Sequence, residues 1–160
     1  MRVPPQTSPL GMHFSVSTPP GAPARRQCAM ASQREAPCPC GQPMPYTACC
    51  GPWHEGPSYL QAPTAEALMR SRYSAFVLGR HDYLLATWHP TTRPAAIEPD
   101  PPGLRWLGLE VKSYRLLDAD HAEVEFVARH KLGGRAQRLH ERSRFERVDG
   151  AWMYIDGEMR

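Results

Sequence analysis

The chain has 160 residues, a formal net charge of +3 at pH 7, 18 prolines, 12 glycines and 5 cysteines. That length suits one domain of ordinary size with additional segments, and the charge is too mild to mark a nucleic-acid binder by itself. No apolar run approaches the ~18 residues of a membrane span, and the N-terminus lacks the basic, apolar and small-residue order of a secretory signal. The expectation is a cytoplasmic protein with no membrane contact.

Residues 1–35 open with Pro4, Pro5, Pro9, Pro19, Pro20 and Pro23 and carry only scattered hydrophobes such as Phe14 and Val16. Such a stretch buries too little apolar surface to offset its ordering entropy and is expected to be disordered. Met30, followed by Ala-Ser-Gln-Arg-Glu, reads as a plausible translation start. Cys28 falls in this stretch and is left out of the metal-binding set.

The next segment concentrates chemistry. Cys38-Pro39-Cys40 and Cys49-Cys50 frame Gly41, Gln42, Pro43, Met44, Pro45, Tyr46, Thr47 and Ala48. A zinc ion takes about four thiolate or imidazole ligands in a tetrahedron. The turn-formers Gly41, Pro43 and Pro45 let the two pairs fold back on one ion. Disulfides are disfavoured by a reducing compartment and an odd cysteine total. The C-x-x-C redox spacing is absent, and iron–sulfur spacings differ. The reading is one structural Zn2+ on Cys38, Cys40, Cys49 and Cys50, with His54 a less favoured ligand. This stretch resembles the SEC-C motif, a zinc-binding segment named after the SecA translocase, with Tyr46 at its aromatic position. Gln42-Pro43 departs from the usual Ser-Gly turn.

Beyond the module, Thr64 is a good N-cap and Glu66 suits the first turn of a helix. Helical spacing aligns Ala65, Leu68, Met69, Arg72, Tyr73 and Phe76, and Gly79 suits a helix end. A second helix over His81–Trp88 is expected to turn Leu84, Leu85 and Trp88 inward and to stop before Pro90. Prolines from Pro90 to Pro102 read as a loop.

The period then changes to two. Leu107, Leu109 and Val111 alternate, whereas Tyr114 and Leu116 take the other parity, which predicts a bulge near Lys112–Ser113. Val124, Phe126, Ala128, His130 and Leu132 share one face. Gly133-Gly134 and Asp149-Gly150 read as hairpin turns. Leu139, Glu141, Ser143 and Phe145 face one way, and Arg138, His140, Arg142 and Arg144 the other. Helices followed by an antiparallel meander make an α+β pattern.

This order resembles the cystatin/nuclear-transport-factor-2-like cone, a curved sheet wrapped on helices around a cavity. The run from Pro63 to Phe76, Tyr83 to Pro90, Leu139 to Phe145 and Trp152 to Gly157 resembles the bacterial YchJ family, over roughly residues 36–158. The resemblance implies a SEC-C zinc module at 36–56 and a cone domain at 57–160, with no settled activity.

Charged residues on apolar faces need partners or water. Arg72 and Glu141 are therefore expected to pair across the helix–sheet interface with Ser143 nearby. Together with Tyr73, His89 and His130 they form a candidate pocket. Arg129, Lys131, Arg138, Arg142 and Arg144 form a candidate basic surface. No nucleophile–base pair or phosphate loop is evident, so no catalytic residue is assigned. The leading expectation is a non-catalytic interaction or adaptor protein with a protein partner. One alternative is a small-molecule-binding protein or enzyme using the cone cavity. Another is RNA or ribosome contact through the basic strand face, and a homodimer through the same sheet face is the competing use of that surface.

Overall fold

Helical spacing first and alternating spacing second is the order found in the computed structural model, which describes residues 36–160; Cys28, Met30 and the expected disorder of residues 1–35 lie outside the described residues. A short 3₁₀ turn, Tyr46–Ala48, leads into α1 (Gly51–His54), then α2 (Ala65–Leu78) and α3 (His81–Ala86). Four strands follow: β1 (Arg105–Leu116), β2 (His121–Leu132), β3 (Arg135–Val148) and β4 (Ala151–Met159). They form one antiparallel sheet in the order β1-β2-β3-β4.

Local chemistry sets the boundaries of α2. The Thr64 side chain accepts the Ala67 amide at 3.0 Å, satisfying one of the orphan donors of the first turn. At the other end Gly79 adopts φ 68°, the left-handed cap that lets the last carbonyls find amides. The two-residue turns Gly133-Gly134 and Asp149-Gly150 have positive φ at both positions, matching the twist of the strands they join.

Three register shifts curve the sheet. One lies between Val111 and Ser113, where the change of parity predicts it. A second, between Trp106 and Gly108, is not signalled by the alternation. It turns Leu107 outward, 52% exposed, and seats Trp106 against the inner cluster instead. The third lies in β4 opposite Arg144 and Phe145.

The second helix is shorter than the spacing implies. It ends at Ala86, and Tyr83 rather than Leu85 is its fully buried ring beside Leu84. Trp88 has left the helix to form a parallel bridge with Tyr154. The His89 amide donates to the Tyr154 carbonyl at 2.7 Å, and the Tyr154 amide donates to the Thr87 carbonyl at 2.8 Å. This strap ties the α3 end to β4 and closes one side of the cone. The core joins Leu68, Tyr73, Tyr83 and Leu84 to Val124, Phe126, Phe145 and Trp152 across the helix–sheet interface.

Candidate metal centre and cone cavity

At 100° per residue, α2 presents two opposite faces. Ala67, Arg70, Ser71 and Ser74 lie on one, and Met69, Arg72, Tyr73 and Phe76 on the other. The first carries the cysteine module and the second lines the cavity, so one helix separates the two candidate sites.

The module is a knuckle. The Cys38 amide donates to the Met44 carbonyl at 2.9 Å and the Gly41 amide to the Cys38 carbonyl at 3.2 Å, with Gly41 at φ 84°. The Gln42-Pro43 departure therefore still closes the turn. Cys38, Cys40, Cys49 and Cys50 are all buried, and their four Sγ atoms lie within 4.8 Å of one another. The Cys40–Cys49 and Cys49–Cys50 sulfurs are 3.5 and 3.9 Å apart. Thiolates held at about 2.3 Å around a tetrahedral ion sit about 3.8 Å from each other, so the set fits a metal ion. All four cysteines are free rather than bridged.

Crowding also shapes their protonation. Hydrogen bonds from Cys40 and Cys50 hold the Cys38 thiol far below its ordinary value. Burial, followed by its sulfur neighbours, pushes Cys49 up to about 12, and the Cys38 and Cys40 sulfurs push Cys50 higher still. The Cys38 thiolate is stabilised at the expense of Cys49 and Cys50, which a bound cation would let ionise.

The module is fastened to α2 by more than its sulfurs. Cys38 Sγ lies 3.6 Å from Ser74 Oγ. Arg70 Nη1 donates to the Cys40 carbonyl at 3.2 Å while its Nε holds Glu66 at 3.1 Å. His54, 3% exposed, is the central pin. Its Nε2 donates to the Ser71 carbonyl at 2.8 Å, and its Nδ1 accepts from the Tyr46 hydroxyl at 2.7 Å. Both ring nitrogens are engaged, so His54 is not among the clustered ligands. Burial pulls its protonation below the usual imidazole range. Gly51 is required here because a Cβ would come within 2.8 Å of the Tyr46 carbonyl oxygen.

On the other face of α2 a cavity of about 380 Å³ opens between the helix and the sheet. Met69, Tyr73, Phe76, Trp106, Phe126 and Leu139 supply apolar wall, and Arg72, Glu141, Ser143 and Tyr154 supply a polar end. Trp106 meets Tyr73 edge-on at 5.6 Å between centroids. Its indole donates to Asp100 at the exposed rim, at 2.8 Å.

Arg72 and Glu141 do not form the direct ion pair that the sequence suggests. Arg72 Nη1 donates instead to the Leu84 carbonyl at 2.8 Å and to Thr87 Oγ1 at 2.7 Å. Its guanidinium carbon lies 5.0 Å from the Trp88 ring centroid and 4.5 Å from that of Tyr154. Glu141 Oε1 accepts from Ser143 at 2.7 Å and from the Tyr154 hydroxyl at 3.1 Å. Tyr154 is thus the link: its face takes the cation and its hydroxyl takes the anion. Burial lowers Arg72 to about 10, which leaves it charged at neutral pH. Burial and the neighbouring Glu141 raise Tyr154, keeping its hydroxyl a donor.

Among the pocket candidates Arg72, Tyr73, Glu141 and Ser143 come together at the cavity, and the histidines do not. His89 Nε2 faces Glu146 at 3.2 Å and its Nδ1 lies 2.7 Å from Thr91 Oγ1. His130 stacks on Trp106 with centroids 5.5 Å apart and contacts Gln137. The pinning role of His54 and the linking role of Tyr154 are missed by sequence reasoning; a histidine one turn past the cysteines and a tyrosine paired with β3 are their only signals.

The basic strand face is interleaved with acids. Arg129 meets Glu110 at 3.4 Å, Arg142 meets Glu125 at 3.7 Å, and Arg144 chelates Asp156. Lys131 and Arg138 have no acidic partner among the described residues. No helix of the described residues is long and apolar enough to cross a membrane.

A buried four-cysteine knuckle whose geometry fits a metal ion, ahead of a four-stranded cone, defines a SEC-C-type protein with a nuclear-transport-factor-2-like domain. Comparison with known proteins agrees. The family model described as YchJ, middle NTF2-like domain, matches residues 64–157. A UPF0225 protein of Methylibium petroleiphilum is 69% identical over 123 residues, covering 77% of this chain and 88% of that one. A UPF0225 protein of Bordetella parapertussis is 58% identical over 125 residues, covering 78% and 94%. The chain belongs to this YchJ, or UPF0225, family. Two solved structures are similar. One is a crystal structure of a SEC-C motif containing protein from Psychrobacter arcticus, with TM-score 0.67, 32% identity and coverage of 78% of this chain and 83% of that one. The other is a solution structure of a SEC-C motif containing protein from Rhodopseudomonas palustris, with TM-score 0.65, 34% identity and coverage of 77% and 98%.

Proposed function

We propose that this protein is a cytoplasmic small-molecule-binding protein whose SEC-C knuckle carries one structural zinc ion. The ion, when bound, neutralises the thiolates and supplies folding energy to a segment that has little core of its own. The observation that carries the reading is the placement of the knuckle and the cavity on opposite faces of α2. The knuckle spends its polar groups on the helix, through His54, Arg70 and Ser74. The cavity, at about 380 Å³, falls within the ~300–1,000 Å³ range of ligand pockets and combines an apolar wall with a convergent polar end.

A fragment screen by thermal shift tests this. Ala128 lines the cavity and is buried. Compounds that raise the melting temperature of the wild type are expected to leave Ala128→Ile unmoved, because the added side chain occupies their space. Hits that stabilise both proteins equally would count against the cavity. Contact with a protein partner is a second reading, favoured by a groove of about 320 Å³ on the outer side of the knuckle, where Met44 is 43% exposed beside Trp53.

A further inference from the structure

The polar end of the cavity carries a pattern that narrows the ligand class. Arg72 is only 4% exposed and lines the cavity. A guanidinium has five N–H donors. The two on Nη1 are used on the Leu84 carbonyl and Thr87, so Nε and Nη2 have no protein acceptor among the described residues. Glu141 Oε1 is already occupied by Ser143 and Tyr154, whereas Oε2 has no partner among them. Spare donors on the residue over the Tyr154 ring face and a spare acceptor on the residue at its hydroxyl therefore belong to side chains that line one cavity.

The carboxylate seat is built for this. A Cβ on Gly157 would lie 1.8 Å from Glu141 Oε1 and 2.2 Å from its carboxyl carbon. Gly157 has no left-handed φ to explain it, so the missing side chain serves the approach of the carboxylate to β4. The walls are flat rings: Tyr73, Phe76, Trp88, Trp106 and Phe126. At ~30 Å³ per water-sized group the cavity accommodates about a dozen non-hydrogen atoms.

Resting on the small-molecule reading above, we propose that the ligand is a flat aromatic compound of that size bearing an uncharged amide-like edge, its carbonyl taking Arg72 and its N–H given to Glu141. A ligand carboxylate would satisfy Arg72 but would bring a second negative charge beside Glu141, with Asp100 at the rim. An ammonium group would satisfy Glu141 but would meet the guanidinium. Either places an uncompensated charge against apolar wall, which is costly. An amide edge supplies acceptor and donor together and leaves the Arg72–Glu141 charge balance intact, while its ring stacks on the aromatic walls.

The test uses four probes on one ring system: naphthamide, naphthoate, naphthylmethylammonium and ethylnaphthalene. Each is titrated into metal-loaded full-length protein while the Trp88 and Trp106 indole resonances are followed. Naphthamide is expected to bind at least about tenfold more tightly than either ion, a difference of about 1.4 kcal/mol. In Glu141→Gln the polar end becomes net positive, and the preference is expected to move to naphthoate. Naphthoate or the ammonium binding the wild type as tightly as the amide overturns the proposal, as does an unchanged order in Glu141→Gln. Ethylnaphthalene matching naphthamide overturns the polar edge but leaves the cavity reading standing. Silence of both indoles with all four probes overturns both.

Discussion

The guanidinium of Arg72 lies 4.5 Å from the ring centroid of Tyr154, and the same tyrosine gives its hydroxyl to Glu141 at 3.1 Å. A fully buried cation and a half-buried anion are thereby held apart yet coupled, with neither stripped of hydrogen bonds. Tyr154→Phe keeps the ring and removes the hydroxyl. It is expected to cost about 1.5–3 kcal/mol, the usual loss for one hydrogen bond to a charged group. Tyr154→Leu also removes the aromatic face and is expected to cost about 2 kcal/mol more. Urea unfolding of both variants reads this; a Phe variant as stable as the wild type would show that the hydroxyl contributes nothing.

Gly157 and Glu141 should behave as one unit. Gly157→Ala is expected to destabilise by about 1–3 kcal/mol, the range for overpacking. In a Glu141→Ala background the same change is expected to be neutral or mildly stabilising, because alanine suits a strand better than glycine. The double-mutant cycle should then give a coupling above about 1 kcal/mol. Additive effects would mean that the carboxylate does not occupy the space over Gly157.

His54 pins the knuckle through two neutral hydrogen bonds. His54→Phe keeps the ring packed on Tyr83 (centroids 4.4 Å apart in the wild type) but strands the Tyr46 hydroxyl and the Ser71 carbonyl. A loss of about 2–4 kcal/mol is expected for two such groups. The pH dependence has a definite sign. Burial lowers the folded His54 below the 6.5 of a free imidazole, so below pH 6.5 the unfolded chain binds more protons. The contribution is complete above pH 6.5 and declines as pH falls toward the folded value. The zinc-held thiolates give both proteins a slope of the same sign, so unfolding at pH 7.5 and 5.5 with saturating zinc should show a steeper slope in the wild type than in the Phe variant.

Zinc removal should expose what the knuckle holds. Elemental analysis is expected to give one zinc per chain, absent from a Cys49→Ser/Cys50→Ser double variant. A thiol reagent should find four more reactive cysteines after chelation than before. Unchanged thiol reactivity on chelation would contradict a four-thiolate metal site.

Much of this architecture was legible from local rules. Thr64 and Gly79 bound α2, Gly133-Gly134 and Asp149-Gly150 set two hairpins, and a parity change located the bulge after Val111. What escaped depends on long-range packing. Ser71 and Ser74 look like the solvent face of α2, yet they are fully buried because the knuckle needs small side chains where it meets the helix. Leu107 belongs to the inward parity by sequence, but the shift before Gly108 gives its place to Trp106. The buried charges on Arg72 and Glu141 were visible as anomalies. Their partners were not, since Tyr154, Thr87 and the Leu84 carbonyl reach the cavity only once the strap from Thr87 to His89 has docked on β4.

The four tryptophans offer the most direct discrimination, because each reports a different place. Trp88 and Trp106 line the cavity, Trp53 lines the groove outside the knuckle, and Trp152 is buried behind the sheet end beside Arg147. Titration of naphthamide into the zinc-loaded protein, followed by the four indole N–H resonances, is expected to move Trp88 and Trp106 and leave Trp53 and Trp152 in place. Movement of Trp53 alone would shift the binding site to the knuckle and contradict the cavity as the seat of function.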